Sequence, residues 1–157
     1  MIFFLSDSRF KKCIPKHWKL YELRLPRKED CMSVIYYIGD NRLTFQEFQQ
    51  DALSLPAYIE TIWNFTENEL IVLMVHSTVQ KRGFATLLLF ISMITAGEEG
   101  IDNITLEDNS DNYRKKNNIY LKIGLRYEDK NDPKMVCSTW DIMRMWNIIK
   151  KKYNWIV

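Results

Sequence analysis

Leu70-Ile71-Val72-Leu73-Met74-Val75, the turn Gln80-Lys81-Arg82-Gly83-Phe84-Ala85-Thr86 and the apolar run from Leu87 to Ile94 decide the fold. The first run is uninterrupted, β-branched and long-chained, the pattern of a central strand covered on both faces. Phe84 to Thr95 is apolar almost all round, which predicts a helix buried on every side. Ala96-Gly97 closes it, by the preference for glycine at helix C-termini. The turn between them brings free backbone N–H groups and the cations Lys81 and Arg82 to one helix N-terminus. Such an end carries about half a positive charge and seats phosphate well. Gly83 lets the backbone approach a ligand with no Cβ in the way. An anionic cofactor is therefore expected at this turn. A P-loop is excluded because Gly-Lys-Ser/Thr is missing, and a dinucleotide fingerprint because only one glycine is present.

The bulk properties narrow the classes further. A chain of 157 residues fits one domain, taken here as residues 1–157. Lys and Arg number 22 against 20 Asp and Glu, so the net charge of +2 gives no support to whole-surface binding of nucleic acid or membrane. The three cysteines, Cys13, Cys31 and Cys137, are scattered and form no CxxC. That suits free thiols in a reducing, cytoplasmic setting, with no disulfide and no zinc site. Two histidines, His17 and His76, further disfavour a metal cluster. No stretch approaches the ~20 apolar residues of a transmembrane helix. Met1 to Leu5 is too short for a signal-peptide core and reads as a buried strand.

Outward from the turn, Tyr21 to Leu25 and Cys31 to Ile38 read as strands, with Gly39-Asp40-Asn41 as a turn. Thr44-Phe45-Gln46-Glu47 has the form of a capping box, predicting a helix from about 45 to 55 stopped by Pro56. A short helix or turn is expected over 57–63. Ile101 to Glu107 alternates as a strand, and Asp111 to Lys122 reads as a polar helix with Ile119 and Tyr120 facing inward. Gly124 stops that helix, Leu125 to Glu128 begins a strand, and Met135 to Cys137 forms the last one. A final helix runs from about Ser138 to Tyr153, with Ile142, Met145, Trp146, Ile149 and Tyr153 on one stripe and Lys150 to Lys152 opposite. This helix either docks on the sheet as an accessory element or offers a partner or homodimer surface. Trp155-Ile156-Val157 favours the latter, since an exposed apolar terminus is costly. The order β–α–β–α–β around the turn predicts parallel pairing, and the N-terminal third looks antiparallel. The class is mixed α/β.

Gln80-Lys81-Arg82-Gly83-Phe84-Ala85 resembles the motif of the GCN5-related N-acetyltransferase (GNAT) superfamily: Gln or Arg, two residues, Gly, one residue, Gly or Ala. Val75 stands where the family's fourth strand carries a valine, five residues before the Gln. Downstream, Asn112 and Tyr120-Leu121-Lys122-Ile123-Gly124-Leu125 resemble the family's Asn and its Tyr-x-Lys-x-Gly-Phe exit. The likeness covers residues 67–128. It departs in Ala85 for the commoner Gly, in Leu125 for Phe, and in Asn112, which lies one residue further from the Tyr than usual. It implies a GNAT-like mixed, partly parallel sheet flanked by helices, here with an extra C-terminal helix, and acetyl-CoA as the cofactor.

The resemblance also implies roles. Gln80, Lys81, Arg82, Gly83, Phe84, Ala85 and Thr86 would wrap the pyrophosphate of coenzyme A, with Asn112 as a further ligand. Leu73, Met74 and Val75 would offer backbone to the pantetheine arm, in a groove formed where the strand splays from its neighbour, and an amide near Val75 would face the developing oxyanion. The bland alternative for these three is plain core packing, which is compatible with that backbone role. Tyr120 would be the general acid that protonates the leaving thiolate; otherwise it is a packed helix tyrosine. Glu69, eleven residues before Gln80, matches the spacing of the base in the histone-acetylating branch; otherwise it is a solvated strand-entry residue. Glu67 and Asp108 are further candidates for the base. His76 borders the groove, and Tyr113 and Tyr127 read as structural.

The expected activity is transfer of an acetyl group from acetyl-CoA to an amine, a protein lysine, an N-terminus or a small molecule, directly within a ternary complex. No metal and no covalent enzyme intermediate are expected. Two alternatives stand beside it. One is a catalytically silent binding or regulatory protein that keeps the fold and binds coenzyme A. The other is a nucleic-acid-binding member, suggested weakly by the basic stretches Arg9 to Lys19 and Lys150 to Lys152; no membrane partner is expected.

Overall fold

The structure is a computed structural model and describes residues 18–78, 83–109, 113 and 118–152. Within them a seven-stranded sheet runs in the order β1-β2-β3-β4-β5-β7-β6. Its strands are β1 (Lys19–Pro26), β2 (Cys31–Gly39), β3 (Ala57–Asn64), β4 (Glu69–Ser77), β5 (Asn103–Glu107), β6 (Arg126–Tyr127) and β7 (Lys134–Ser138). The helices are α1 (Phe45–Asp51), α2 (Phe84–Glu98), α3 (Ile119–Ile123) and α4 (Thr139–Lys152). Strands β1 to β4 form an antiparallel meander, β4 and β5 are parallel, and β7 pairs antiparallel with both β5 and β6. This is a mixed α/β architecture: a partly parallel sheet flanked by helices, with an additional C-terminal helix.

Local chemistry accounts for the helices. At α1 the Glu47 N–H donates to Thr44 Oγ1 at 3.2 Å and the Thr44 N–H donates to Glu47 Oε1 at 3.0 Å, a complete capping box. The α-helix ends at Asp51 and a 3-10 turn over Ala52–Ser54 completes the segment expected to be helical to about 55. Phe48 is the buried residue of α1 and packs with Ile35, Tyr37 and Tyr58 on one face of the sheet. On the other face lies α2, in which Phe84 and every residue from Thr86 to Ala96 are buried. It packs against Ile59, Trp63, Leu70 and Val72. Each fully buried Leu, Ile or Phe contributes roughly 1.5–3 kcal/mol, so α2 is the most firmly seated element.

Three expectations are corrected. Residues 57–63 are not helix or turn but the strand β3, hydrogen-bonded between β2 and β4. Its Ile59, Thr61, Ile62 and Trp63 are β-branched or aromatic residues suited to a pleated, packed surface. The helix expected over 111–122 is not continuous, because Asn118 is extended (φ −63°, ψ 122°) and caps a helix that starts at Ile119. β4 is not covered on both faces: Leu70 and Val72 are buried, whereas Leu73 and Met74 are about half exposed. The strand expected over residues 1–5 lies outside the described residues. Among the described residues, no helix is long and apolar enough to cross a membrane.

Ser138 caps α4 by accepting the Asp141 N–H at 3.2 Å, and Arg144 pairs with Asp141 one turn on. Ile142 and Trp146 are buried, and the Trp146 ring lies 5.1 Å from that of Phe90 on α2. α4 is thus docked onto the core by its apolar stripe, while Trp140 is 77% exposed. Trp146→Ala is expected to destabilise the protein by about 3–5 kcal/mol through the cavity it leaves. Trp140→Ala should fall within about 0.5 kcal/mol of the wild type. Urea unfolding of the two variants measures both, and equal effects would mean that α4 is not part of the core.

Candidate active site

Pairing between β4 and β5 begins at Glu69 with Asn103 and stops at Val72 with Leu106. Beyond Val72, β4 continues to Ser77 with β3 alone as its partner. At the same place the β3–β4 register shifts: Thr61 faces Val72 and Glu60 faces Met74, which leaves Leu73 as an extra, bulged residue. The end of this pairing and the bulge together leave the β5-side backbone edge of Leu73, Met74 and Val75 without a strand partner among the described residues. An open strand edge of this kind pairs with extended, amide-bearing ligands. A cleft of about 320 Å³, lined by residues that include Leu73, Thr105, Glu107 and Asn109, opens where the two strands part.

Gly83 heads α2 in the left-handed conformation (φ 74°, ψ 18°), where a Cβ would be strained. The first intrahelical bond runs from the Leu87 N–H to the Gly83 carbonyl at 2.9 Å, and no side chain caps the helix. The N–H groups of Phe84, Ala85 and Thr86 are thereby left for a partner outside the helix. The Phe84 and Thr86 side chains are buried, with Phe84 edge-on to Trp18 at 5.9 Å, and Ala85 between them is half-buried. Gln80, Lys81, Arg82 and Asn112 lie outside the described residues.

On the β5 side, Asp108 is 2% exposed just past the strand end. Its Oδ2 accepts from Asn118 Nδ2 at 2.5 Å and from the Tyr127 hydroxyl at 2.6 Å. Asn118 in turn accepts the Tyr120 and Leu121 N–H groups, at 2.8 and 3.3 Å, and so caps α3. At the other end Gly124 (φ 112°) returns its N–H to α3 carbonyls. Tyr120 is held between these two caps, half-buried against the core. Burial, and then the charge of Asp108, raise its phenol pKa above the ordinary value, so it carries its proton securely near neutral pH. Tyr113 stacks edge-on against Tyr127 at 5.5 Å, which supports the structural reading of both.

Glu69 sits at the closed end of β4, four residues before the bulge, and its Oε1 accepts the Thr105 hydroxyl at 2.8 Å. The strand register brings forward a residue that the sequence pattern concealed. Glu60 faces Met74 on the sheet face opposite α2, beside the bulge, and Tyr58 faces His76 next to it. The Tyr58 and His76 rings lie 5.2 Å apart, and His76 Nε2 is buried without a hydrogen-bond partner among the described residues. Burial alone raises the Glu60 carboxyl above the usual range. Within a segment read as helix or turn, Glu60 had no sequence signal; the alternation Tyr58, Glu60, Ile62 would have placed it on a strand face. Cys137, pushed up to about 12 mainly by burial, makes a poor nucleophile.

No family model matches the sequence, and no curated protein matches it. Among solved structures, nourseothricin acetyltransferase is similar: 12% identical with a TM-score of 0.46, over 85% of this chain and 95% of that one.

The Asp108 network generates a direct test. Asp108→Asn removes the charge that helps to raise the Tyr120 pKa, so the Tyr120 titration should move down while burial keeps it above an exposed tyrosine. Ultraviolet difference titration of this variant, with Tyr120→Phe as the assignment control, reads the shift. An unmoved titration would mean that Asp108 does not act on Tyr120.

Proposed function

We propose that the protein is an acetyl-CoA-dependent N-acetyltransferase that acts by direct transfer to an amine. The observation that carries this reading is the parting of β4 from β5 at a bulge, next in sequence to an uncapped helix N-terminus headed by a left-handed glycine. An extended thioester arm ending in a pyrophosphate needs both features: a strand edge for its amides and converging N–H groups for its phosphates. The residues present fit that ligand. The Leu73–Val75 edge would take the arm, and the backbone of Gly83 to Thr86, with Gln80, Lys81, Arg82 and Asn112 as further contacts, would take the phosphates. Acetyl-CoA would supply the acyl group as an activated thioester.

The chain's own tasks are to orient, to deprotonate the amine and to protonate the leaving sulfur. Tyr120, kept neutral by burial and by Asp108, is suited to the last. A carboxylate on the face opposite α2 is suited to accept the amine's proton, and Glu69 is the one the resemblance implies. The acceptor is an amine on a protein or a small molecule, and the setting proposed is the cytoplasm. The silent-binder alternative predicts cofactor binding without turnover, so the two readings part at a single measurement.

Calorimetry with coenzyme A should give saturable binding, and Gly83→Ala should weaken it about tenfold, since the free variant relaxes out of the left-handed region and binding must restore that conformation at a cost of roughly 1–2 kcal/mol. Tyr120→Phe should leave that affinity unchanged and lower kcat by about 10²- to 10⁴-fold, the range for loss of a general acid. Thiol release from acetyl-CoA with a panel of amines reads the rate. Binding without release on any amine would select the silent alternative, and no binding would remove both.

A further inference from the structure

We propose that Glu60, with His76 beside it, forms the acceptor subsite: it anchors a primary ammonium group on the face of the sheet opposite α2 and takes its proton. This rests on the acetyl-transfer reading above and names the substrate class and the base for that same site.

Position makes the first argument. Glu60 faces Met74, directly after the bulged Leu73, where β4 loses β5 as a partner. Glu69 stands at the other end of the β4–β5 ladder, roughly 13 Å along the strand from Leu73 at ~3.3 Å per residue. The reacting carbon must lie where the backbone edge is open, so of Glu60 and Glu69 it is Glu60 that stands nearer. Partnership makes the second. Glu69 accepts the Thr105 hydroxyl, whereas Glu60 has no hydrogen-bond or ion-pair partner among the described residues. A half-buried carboxylate without a partner is costly to hold, as is the buried Nε2 of His76, two register pairs away and without a hydrogen-bond partner among the described residues. The diagonal spacing of the two positions is about 7–8 Å between Cα atoms, close enough for one ammonium head to be held between them. The surroundings set the ligand chemistry. Glu60 supplies one negative charge, and the Tyr58 and His76 rings and the half-exposed Met74 supply apolar walls. That combination fits a single ammonium on an apolar stem.

The step balances without a co-reactant. The ammonium gives one proton to the Glu60 carboxylate and becomes a neutral amine. Its nitrogen lone pair then forms the N–C bond to the thioester carbonyl carbon. The C–S bond breaks with its electron pair on sulfur, which takes the Tyr120 proton; the newly acylated nitrogen gives its second proton to the Tyr120 phenolate through solvent, which restores the phenol, and solvent removes the proton from Glu60 and restores the carboxylate. The titratable groups facing Glu60 are Tyr58 on its own strand and His76 on β4; Ile35 is its β2 partner. The α1 carboxylates Glu47 and Asp51 stand exposed beyond Tyr58. Burial, rather than any of these charges, raises the Glu60 carboxyl. A group raised on folding stabilises below its unfolded pKa and loses that contribution as pH rises through its folded value. Replacing it with a neutral isostere therefore stabilises the protein at neutral pH.

The test compares Glu60→Gln with Glu69→Gln in the full chain, using butylamine, spermidine and a lysine-containing peptide as acceptors. Glu60→Gln is expected to bind acetyl-CoA as the wild type does and to lose about 10²- to 10⁴-fold in kcat/KM. It should also lose the acid limb of the pH profile, which Glu69→Gln keeps. Its Tm should exceed the wild type's at neutral pH, with the gap closing in acid. Wild-type rate and an intact acid limb in Glu60→Gln, or loss of both in Glu69→Gln instead, would overturn the assignment while leaving the acetyl-transfer reading standing. A Glu60→Gln chain that loses acetyl-CoA affinity or Tm would show a structural role and overturn it as well. Failure of the wild type to bind acetyl-CoA would remove the broader reading first and the subsite with it.

Discussion

The constraint on which everything else depends is that β4 keeps a parallel partner for four residues and then loses it. Leu70 and Val72 on β4 and Ile104 and Leu106 on β5 are buried against the same core, which locks the register of the paired part. A slip of one residue would turn each of these side chains out of the core, so the ladder cannot slide to cover the open edge. The bulge at Leu73 then bends β4 away and re-aims two consecutive apolar side chains toward solvent. Backbone groups at such an edge need partners, and water or a ligand must supply them.

The helix that follows makes the opening permanent. α2 is buried around most of its circumference, so it has no second position of comparable energy. It fixes Gly83 and the first three amides of the helix at the end of a six-residue connection from β4. On the far side, Asp108, Asn118 and Tyr127 form a buried polar knot that holds the short helix carrying Tyr120. A five-residue helix has almost no stability of its own. Its caps, Asn118 and Gly124, and its packing must keep Tyr120 in place. The walls of the site thus come from elements that are distant in sequence but rigid for separate reasons.

Much of this was legible in the chain. The apolar run of α2, the capping box at Thr44 and the Gly124 stop all depend on neighbours within a few residues, and each is found where the pattern placed it, although α2 runs through Gly97 to Glu98 rather than ending at that glycine. What escaped depends on partners far away. β3 was obscured because Pro56 and a short segment suggest a turn, while its strand character comes from pairing on both sides with β2 and β4. With β3 hidden, Glu60 could not be set beside Met74, and the bulge that singles out Leu73 could not be seen. A run of apolar residues also cannot reveal that half of it lies along an opening; Leu73 and Met74 look as buried in sequence as Leu70 and Val72.

Acyl transfer to an ammonium asks for two opposite proton movements within one small volume, and desolvation can prepare both. For a phenol, burial disfavours the anion and keeps the proton on until a stronger base, the leaving thiolate, is created. For a carboxylate, burial also disfavours the anion, and that makes it a better base toward an arriving ammonium. Tyr120 and Glu60 are shifted in the same direction, with burial the first cause for each and the charge of Asp108 adding to the phenol alone. Under the proposed function, these two half-buried groups would act as its acid and its base. Under the proposed assignment, an ammonium bound beside Glu60 would first favour its charged form by pairing with it. Proton transfer would then relieve the burial of both charges together. That relief is available only in a site dry enough to raise the carboxyl. The instability of an unpartnered Glu60 in the free protein would then be the same physical quantity that makes it an effective base.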